Sequence, residues 1–269
     1  MMLCLDIGNS RTKGGVAEDG EIRARFQIDT RRTRAAEDLR ACLAQALAES
    51  GQPAESITAV SACTVVAELR PTVDQACQAL FAVAPFWLEA GTETGLTIHY
   101  HQPAELGADR LAAAVGACGR WPGRDCIVID CGTAITFCAI DRERNYRGGA
   151  IAPGPELGAR ALHRETAALP LVEIGQAPDA LGRSTAEGIR SGLYHGAVGT
   201  IREITAGLKA EAFAGSEVLV VGTGGGAERL AAGAVFDLVD PDLVLHGLIL
   251  AHEQNQSPGT PGSARKRLK

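Results

Sequence analysis

Two short runs in this chain share one grammar. Leu3-Cys-Leu5 leads into Asp6-Ile-Gly-Asn-Ser-Arg-Thr-Lys13, and Ile127-Val-Ile129 leads into Asp130-Cys-Gly-Thr-Ala-Ile-Thr136. Each reads as a buried strand that ends in a tight turn and returns. At an offset of 124 positions Gly132 falls over Gly8, Thr133 over Asn9 and Thr136 over Thr12. One Asp-x-Gly is compatible with an ordinary turn. Two copies at matching points favour a duplicated hairpin whose backbone N–H groups grip phosphate, with glycine allowing close approach. Asn9, Ser10 and Thr12 add neutral donors, Lys13 can balance phosphate charge, and Asp6 at a strand end can hold Mg2+ directly or through water.

The flanking pattern repeats as well. Met2 to Asp6, Lys13 to Ala17 and Ile22 to Ile28 form a predicted strand meander, followed by a helix over 34–49, a strand over 57–61, a helix over 73–81 and a strand over 86–88. A helix over 105–119 precedes a second meander at 126–130, 134–140 and 147–152. The chain continues with a helix over 155–168, with proline in its first turn, and a long helical stretch over 184–213. There Gly188, Gly192, Gly196 and Gly199 mark close packing or breaks. A strand over 217–221 then runs into Gly222-Thr-Gly-Gly-Gly226 and a short helix from Ala227. The Gly222 run also fits a dinucleotide fingerprint, but too little chain follows to complete such a fold.

Composition narrows the function. A net charge of −6 and a pI near 5.6 lack the broad basic face of a general nucleic-acid or membrane-surface binder, so neither partner is expected. Aromatic residues make up only 4% of the chain, too few for base-stacking platforms. No apolar run approaches the roughly 18–20 residues of a membrane span. The eight cysteines lack zinc-knuckle spacing and sit among apolar neighbours, as small buried thiols do. The expected location is cytoplasmic. Residues 255–269 are polar and end in Arg265-Lys-Arg-Leu-Lys269, which reads as a disordered basic tail.

The paired loops resemble those of the ASKHA superfamily, the actin, sugar-kinase and heat-shock ATPase group. Four elements in order, Asp6-Ile-Gly-Asn-Ser10, Gly107-Ala-Asp-Arg110, Asp130-Cys-Gly-Thr-Ala134 and Gly148-Gly-Ala-Ile-Ala-Pro-Gly154, together resemble type III pantothenate kinase. The resemblance covers residues 1 to about 253. Ser10 stands where threonine is frequent in that family, which keeps the hydroxyl.

The resemblance implies an α/β chain of two duplicated ribonuclease-H-like domains, residues 1–118 and 119–254, with an ATP cleft between them. It implies ATP-dependent phosphorylation of pantothenate to 4′-phosphopantothenate, the first step of coenzyme A biosynthesis, by a homodimer whose interface uses the helices after Ser184. Asp109 would accept the hydroxyl proton, a role that suits a carboxylate at a cleft edge. Arg110 would contact substrate or transferring phosphate. Asp6, Ile7, Gly8, Asn9, Ser10, Arg11, Thr12, Lys13 and Thr133 would contact ATP. Tyr100, Gly107, Ala108, Asp109, Arg110 and Thr185 would line the pantothenate site. Asp130 would hold a monovalent cation, K+ or NH4+, and Asp6 the Mg2+. On residues alone, Asp109 and Arg110 equally suit a surface pair in a helix first turn, Tyr100 a strand and Thr185 a helix cap. Two rival functions stay open: another small-molecule kinase of the superfamily, and a regulatory or accessory protein that resembles the kinases.

Overall fold

The computed structural model describes residues 1–176 and 178–256. Its frame is one topology built twice. In the first sheet β1 (Met2–Ile7), β2 (Arg11–Glu18) and β3 (Glu21–Asp29) form an antiparallel meander, and β4 (Ala59–Thr64) and β5 (Phe86–Trp87) extend it in parallel from β1, giving the order β3-β2-β1-β4-β5. The second sheet repeats this with the meander β7 (Asp125–Cys131), β8 (Ala134–Ile140) and β9 (Asn145–Pro153), and with β10 (Val218–Thr223) and β11 (Leu238–Val239) parallel to β7. Its order is β11-β10-β7-β8-β9-β6, where β6 (Thr97–Ile98) comes from the chain before the second meander and pairs with β9.

The period-two alternation of strands decides what each sheet face touches. Leu3, Leu5 and Ile7 of β1 pack with Leu39, Leu43 and Leu47 of α1 (Ala36–Glu49) and Val73 and Cys77 of α2 (Arg70–Phe81). Cys4, on the opposite face, joins a different core with α3 (Ala108–Arg120) and α7 (Leu243–Gln256). In β7, Cys126 and Val128 face that same shared core, whereas Ile127 and Ile129 pack under Tyr194, Val198 and Ile201 of α5 (Thr185–Ala212). Continuing each inner row by two residues brings Asp6 and Asp130 to the side where α3 and α7 lie. Of the remaining helices, α4 (Pro155–Glu165) packs on α5 and α6 (Ala227–Ala231) on β10.

α3 and α7 occupy the same place in the two repeats, each after the last parallel strand. They cross with their backbones almost touching: a Cβ on Gly116 would overlap the Leu243 carbonyl, and one on Gly247 would overlap the Ala112 carbonyl. Each glycine thus opens the gap that its counterpart's helix fills. α7 also ties back to the first sheet, where the buried Ser61 hydroxyl donates to the Leu248 carbonyl at 2.9 Å across 187 residues.

Some expectations need correction. Gly188, Gly192, Gly196 and Gly199, expected to mark close packing or breaks, mark neither among the described residues: α5 runs through them unbroken, and all four are exposed with room for a Cβ. The two hairpins do not superpose at a constant offset. Asp6 pairs across its hairpin with Lys13, whereas Asp130 pairs with Thr136, because the second turn is one residue shorter. Thr136 therefore matches Lys13, not Thr12. Helix α7 was not expected and includes Asn255 and Gln256, the first two residues of the expected tail; the rest of that tail, 257–269, lies outside the described residues.

Candidate active site

Three carboxylates and one lysine meet where the inner rows of both sheets end. Asp6 and Lys13 face each other across the first hairpin, Asp130 ends the inner row of β7, and Asp109 lies in the first turn of α3. Burial pushes the Asp6 carboxyl from an ordinary 3.8 up to about 7; Lys13 opposes the rise, and the charges of Asp109 and Asp130 add to it. Burial also raises Asp109, against the backbone N–H of Arg110 and with the charge of Asp130. For Lys13 burial acts downward, but Asp130 and Asp6 outweigh it and hold the ammonium charged. The four groups form one electrostatic unit.

Local backbone explains the placement. Gly107 caps α3, and the Asp109 carboxylate folds back to accept the Arg110 N–H at 2.7 Å, at the positive end of the helix. Gly224, at a φ of 86°, lies so close to Asp130 that a Cβ would meet its carboxylate oxygen. The tip of the second hairpin, with Gly132 and Thr133 exposed, is tied on both sides: Gly154 N–H donates to the Thr133 carbonyl at 3.0 Å, and Gly226 N–H to the Cys131 carbonyl at 2.8 Å. A cavity of about 250 Å3 runs from Lys13 and Gly14 past Phe26 to Gly224, Gly225 and Asp242. It joins the first hairpin to the glycine-rich loop after β10.

Arg110 has unusual surroundings. Its guanidinium donates to the Tyr100 hydroxyl at 2.8 Å and to the Tyr146 hydroxyl at 2.7 Å, and Tyr146 in turn donates to the Cys138 sulfur at 3.3 Å. Sequence reasoning named Tyr100 and Arg110 but missed Tyr146 and Cys138. The available signal was compositional: the chain has only three tyrosines, and two of them hold this one arginine. Cys63 was missed as well; its thiol donates to Asp6 Oδ1 at 3.6 Å.

The other expected site residues have these surroundings. Ile7 is buried in the first core, Thr12 is buried and bonded to the Thr30 hydroxyl at 3.0 Å, and the exposed Arg11 donates to Gln27. Gly8, Asn9 and Ser10 form the turn itself, closed by Gly8 N–H donating to the Arg11 carbonyl. Thr185 is exposed at the start of α5, and Ser184 is the cap, accepting from Glu187 N–H at 3.2 Å. No hydrogen bond among the described residues links Thr185 to the Asp109 group. A second cluster with cation-binding residue types, Asp240, Asp242 and His246, is already answered by arginines: Arg25 grips Asp242 with 2.8 Å contacts to both oxygens, and Arg120 approaches Asp240 at 3.4 Å.

Comparison with known proteins bears on the family and the fold. The model of the type III pantothenate kinase family matches residues 2–207. A type III pantothenate kinase of Legionella pneumophila (strain Paris) is 42% identical over 255 residues, 95% of this chain and 99% of the relative. That of Elusimicrobium minutum (strain Pei191) is 37% identical over 257 residues, 96% of this chain and 100% of the relative. Among solved structures, the activator of the 2-hydroxyisocaproyl-CoA dehydratase from Clostridium difficile, with bound ADPNP, shares the fold at a TM-score of 0.55, with 16% identity over 97% of this chain and 99% of that one. By sequence over nearly its whole length, and on an ASKHA-type fold of two mixed sheets, this chain belongs to the type III pantothenate kinase family.

Proposed function

We propose that this chain transfers the γ-phosphoryl group of ATP to the primary hydroxyl of pantothenate, with Asp109 taking the hydroxyl proton. The observation that carries the residue assignment is the convergence of Asp109 with Asp6, Lys13 and Asp130 at the ends of the two inner rows. A base works best when its proton affinity approaches the working pH, and burial moves Asp109 in that direction. Lys13, charged and opposite Asp6, faces the triphosphate, and the backbone N–H groups of the two hairpin turns cradle it. Arg110 supplies positive charge beside the base, where an anionic substrate group is bound.

The donor set fits the cations this chemistry calls for. Asp6 is a buried carboxylate whose neighbours resist its ionisation, a tension that a hard divalent cation relieves, so we assign Mg2+ to it. When bound, Mg2+ would offset negative charge developing on the phosphates. Asp130, packed against the backbone of Gly224, is assigned to a monovalent cation, K+ or NH4+.

We read residues 1–118 and 119–254 as the two lobes around the ATP cleft. Two elements cross between them: β6 pairs into the second sheet, and α7 packs on the first. A homodimer through α5 is supported by its exposed glycine face and by the exposed Leu171 and Leu181 in the segment laid along it, where Ser191 and His195 bond the Ala180 and Pro178 carbonyls. A cytoplasmic location is supported by the eight cysteines, all of them free thiols. Among the described residues no helix is long and apolar enough to cross a membrane.

A coupled assay of ATP consumption with pantothenate, run with and without K+, tests substrate, reaction and cation together. Turnover of pantothenate that rises with K+ supports the whole reading. Turnover of another small alcohol in its place would overturn the substrate.

A further inference from the structure

Arg110 is 7% exposed, and among the described residues no carboxylate makes an ion pair with it. Asp109 feels its charge but makes no hydrogen bond to its guanidinium, so the orientation of this buried cation must be held by neutral groups until a substrate anion arrives. Here the holders are two phenols, with the Cys138 sulfur also interacting with the guanidinium. The hydroxyls of Tyr100 and Tyr146 both accept from the same terminal nitrogen, and their rings meet edge to face at 5.5 Å around it. The guanidinium carbon lies 5.7 Å and 5.9 Å from the two ring centres, and Nε is buried with no hydrogen-bond partner among the described residues.

The two tyrosines are not equivalent. Tyr100 is half-buried, and among the described residues no second partner hydrogen-bonds its hydroxyl. Tyr146 is fully buried on β9, and its oxygen, committed as acceptor to Arg110, directs its own hydrogen to Cys138 Sγ. That sulfur sits on β8. The chain from Arg110 through Tyr146 to Cys138 therefore has one polarity and fastens the guanidinium, carried on a helix, to the sheet behind it. Gly149 completes the seat: a Cβ there would overlap the Phe137 carbonyl and come within 3.3 Å of the guanidinium.

We propose that Tyr146, oriented by Cys138, is the positioning residue that holds Arg110 beside Asp109 to receive the anionic part of pantothenate. The inference rests on the assignment of Asp109 and Arg110 to that substrate. It predicts a defect specific to pantothenate, because the nucleotide side of the site, Lys13 and the hairpin turns, lies outside this hydrogen-bonded chain.

The test is steady-state kinetics on the full chain. Tyr146→Phe keeps the ring and removes only the hydroxyl. It should lower kcat/KM for pantothenate about tenfold or more, the range for a hydrogen bond to a charged group, with KM for ATP unchanged. In an Arg110→Lys background, where the fork is gone, the same substitution should change kcat/KM less than about twofold. Cys138→Ser, which keeps an acceptor, should stay within about twofold of wild type, whereas Cys138→Val should show part of the Tyr146→Phe defect. If Tyr146→Phe does not fold, the Cys138 pair carries the comparison. Equal losses with and without Arg110, or a KM for ATP that moves in step, would overturn the positioning role. An Arg110→Lys enzyme as active as wild type would instead overturn the site assignment on which the inference rests.

Discussion

Asp6→Asn should make the ligand-free protein more stable, and increasingly so as the pH rises. Asp6 holds its proton more tightly in the folded chain than in the unfolded one, so stability present below pH 3.8 is lost progressively as the pH climbs through about 7. The gap between 3.8 and about 7, at about 1.4 kcal/mol for each tenfold change in proton affinity, comes to ~4 kcal/mol at pH 8. At pH 5 less than half of that cost has accrued. Asparagine keeps an oxygen for the Cys63 thiol and never ionises, so its advantage over wild type should widen by roughly 2–3 kcal/mol between pH 5 and pH 8. For a chain of this size that is about 5–10 °C in Tm. Comparing the two pH values cancels whatever the amide itself adds or costs. The measurement is thermal unfolding of both proteins in EDTA at pH 5 and pH 8. A gap that does not change with pH would refute the claim that Asp6 is a strained, buried carboxylate. Adding Mg2+ at pH 8 should raise the wild-type Tm and leave the variant's unchanged, and the variant should be inactive.

Three further outcomes are expected. Asp109→Asn should lower kcat about 10^2- to 10^4-fold with near-normal ATP binding, the usual weight of a positioned base, and wild-type turnover would remove that role. Lys13→Met should raise KM for ATP well above its effect on KM for pantothenate, read in the same assay; equal effects would place the ammonium elsewhere. Gly247→Ala should cost about 1–3 kcal/mol, because a methyl would collide with the Ala112 carbonyl at the α3–α7 crossing, and an unchanged Tm would show that the helices can separate freely.

The meanders and hairpins were legible because they are punctuated: Asp19-Gly20 turns the first, and alternating apolar residues run into Asp6 and Asp130. Helix α7 was not legible, since Leu243, Val244, Leu245, Leu248, Ile249 and Ala251 are buried nearly all round it and leave no polar stripe to reveal a helical period. Strands β6 and β11 are two residues long, too short for any alternation. The off-by-one match of Thr136 with Lys13 turns on a single turn residue that a linear offset cannot register. Tyr146 escaped because its significance lies in a guanidinium 36 positions earlier, a relation that only folding creates. The partner of the Thr12 hydroxyl, Thr30, could not be read from the sequence, because it lies 18 positions away and only the hairpin brings the two together.

The bond from Ser61 to the Leu248 carbonyl has a consequence for synthesis. A ribosome adding about 5–20 residues each second needs roughly 10 to 40 s to make the 187 residues that separate them. During that interval the inner face of the first sheet has no α7 to cover it, and Cys4, Cys63 and Leu88 stay open to water or to chaperones. The nascent chain thus emerges with its first sheet unfinished, and a chain ending before Leu243 would keep both hairpins and lack the helix that closes the core between them.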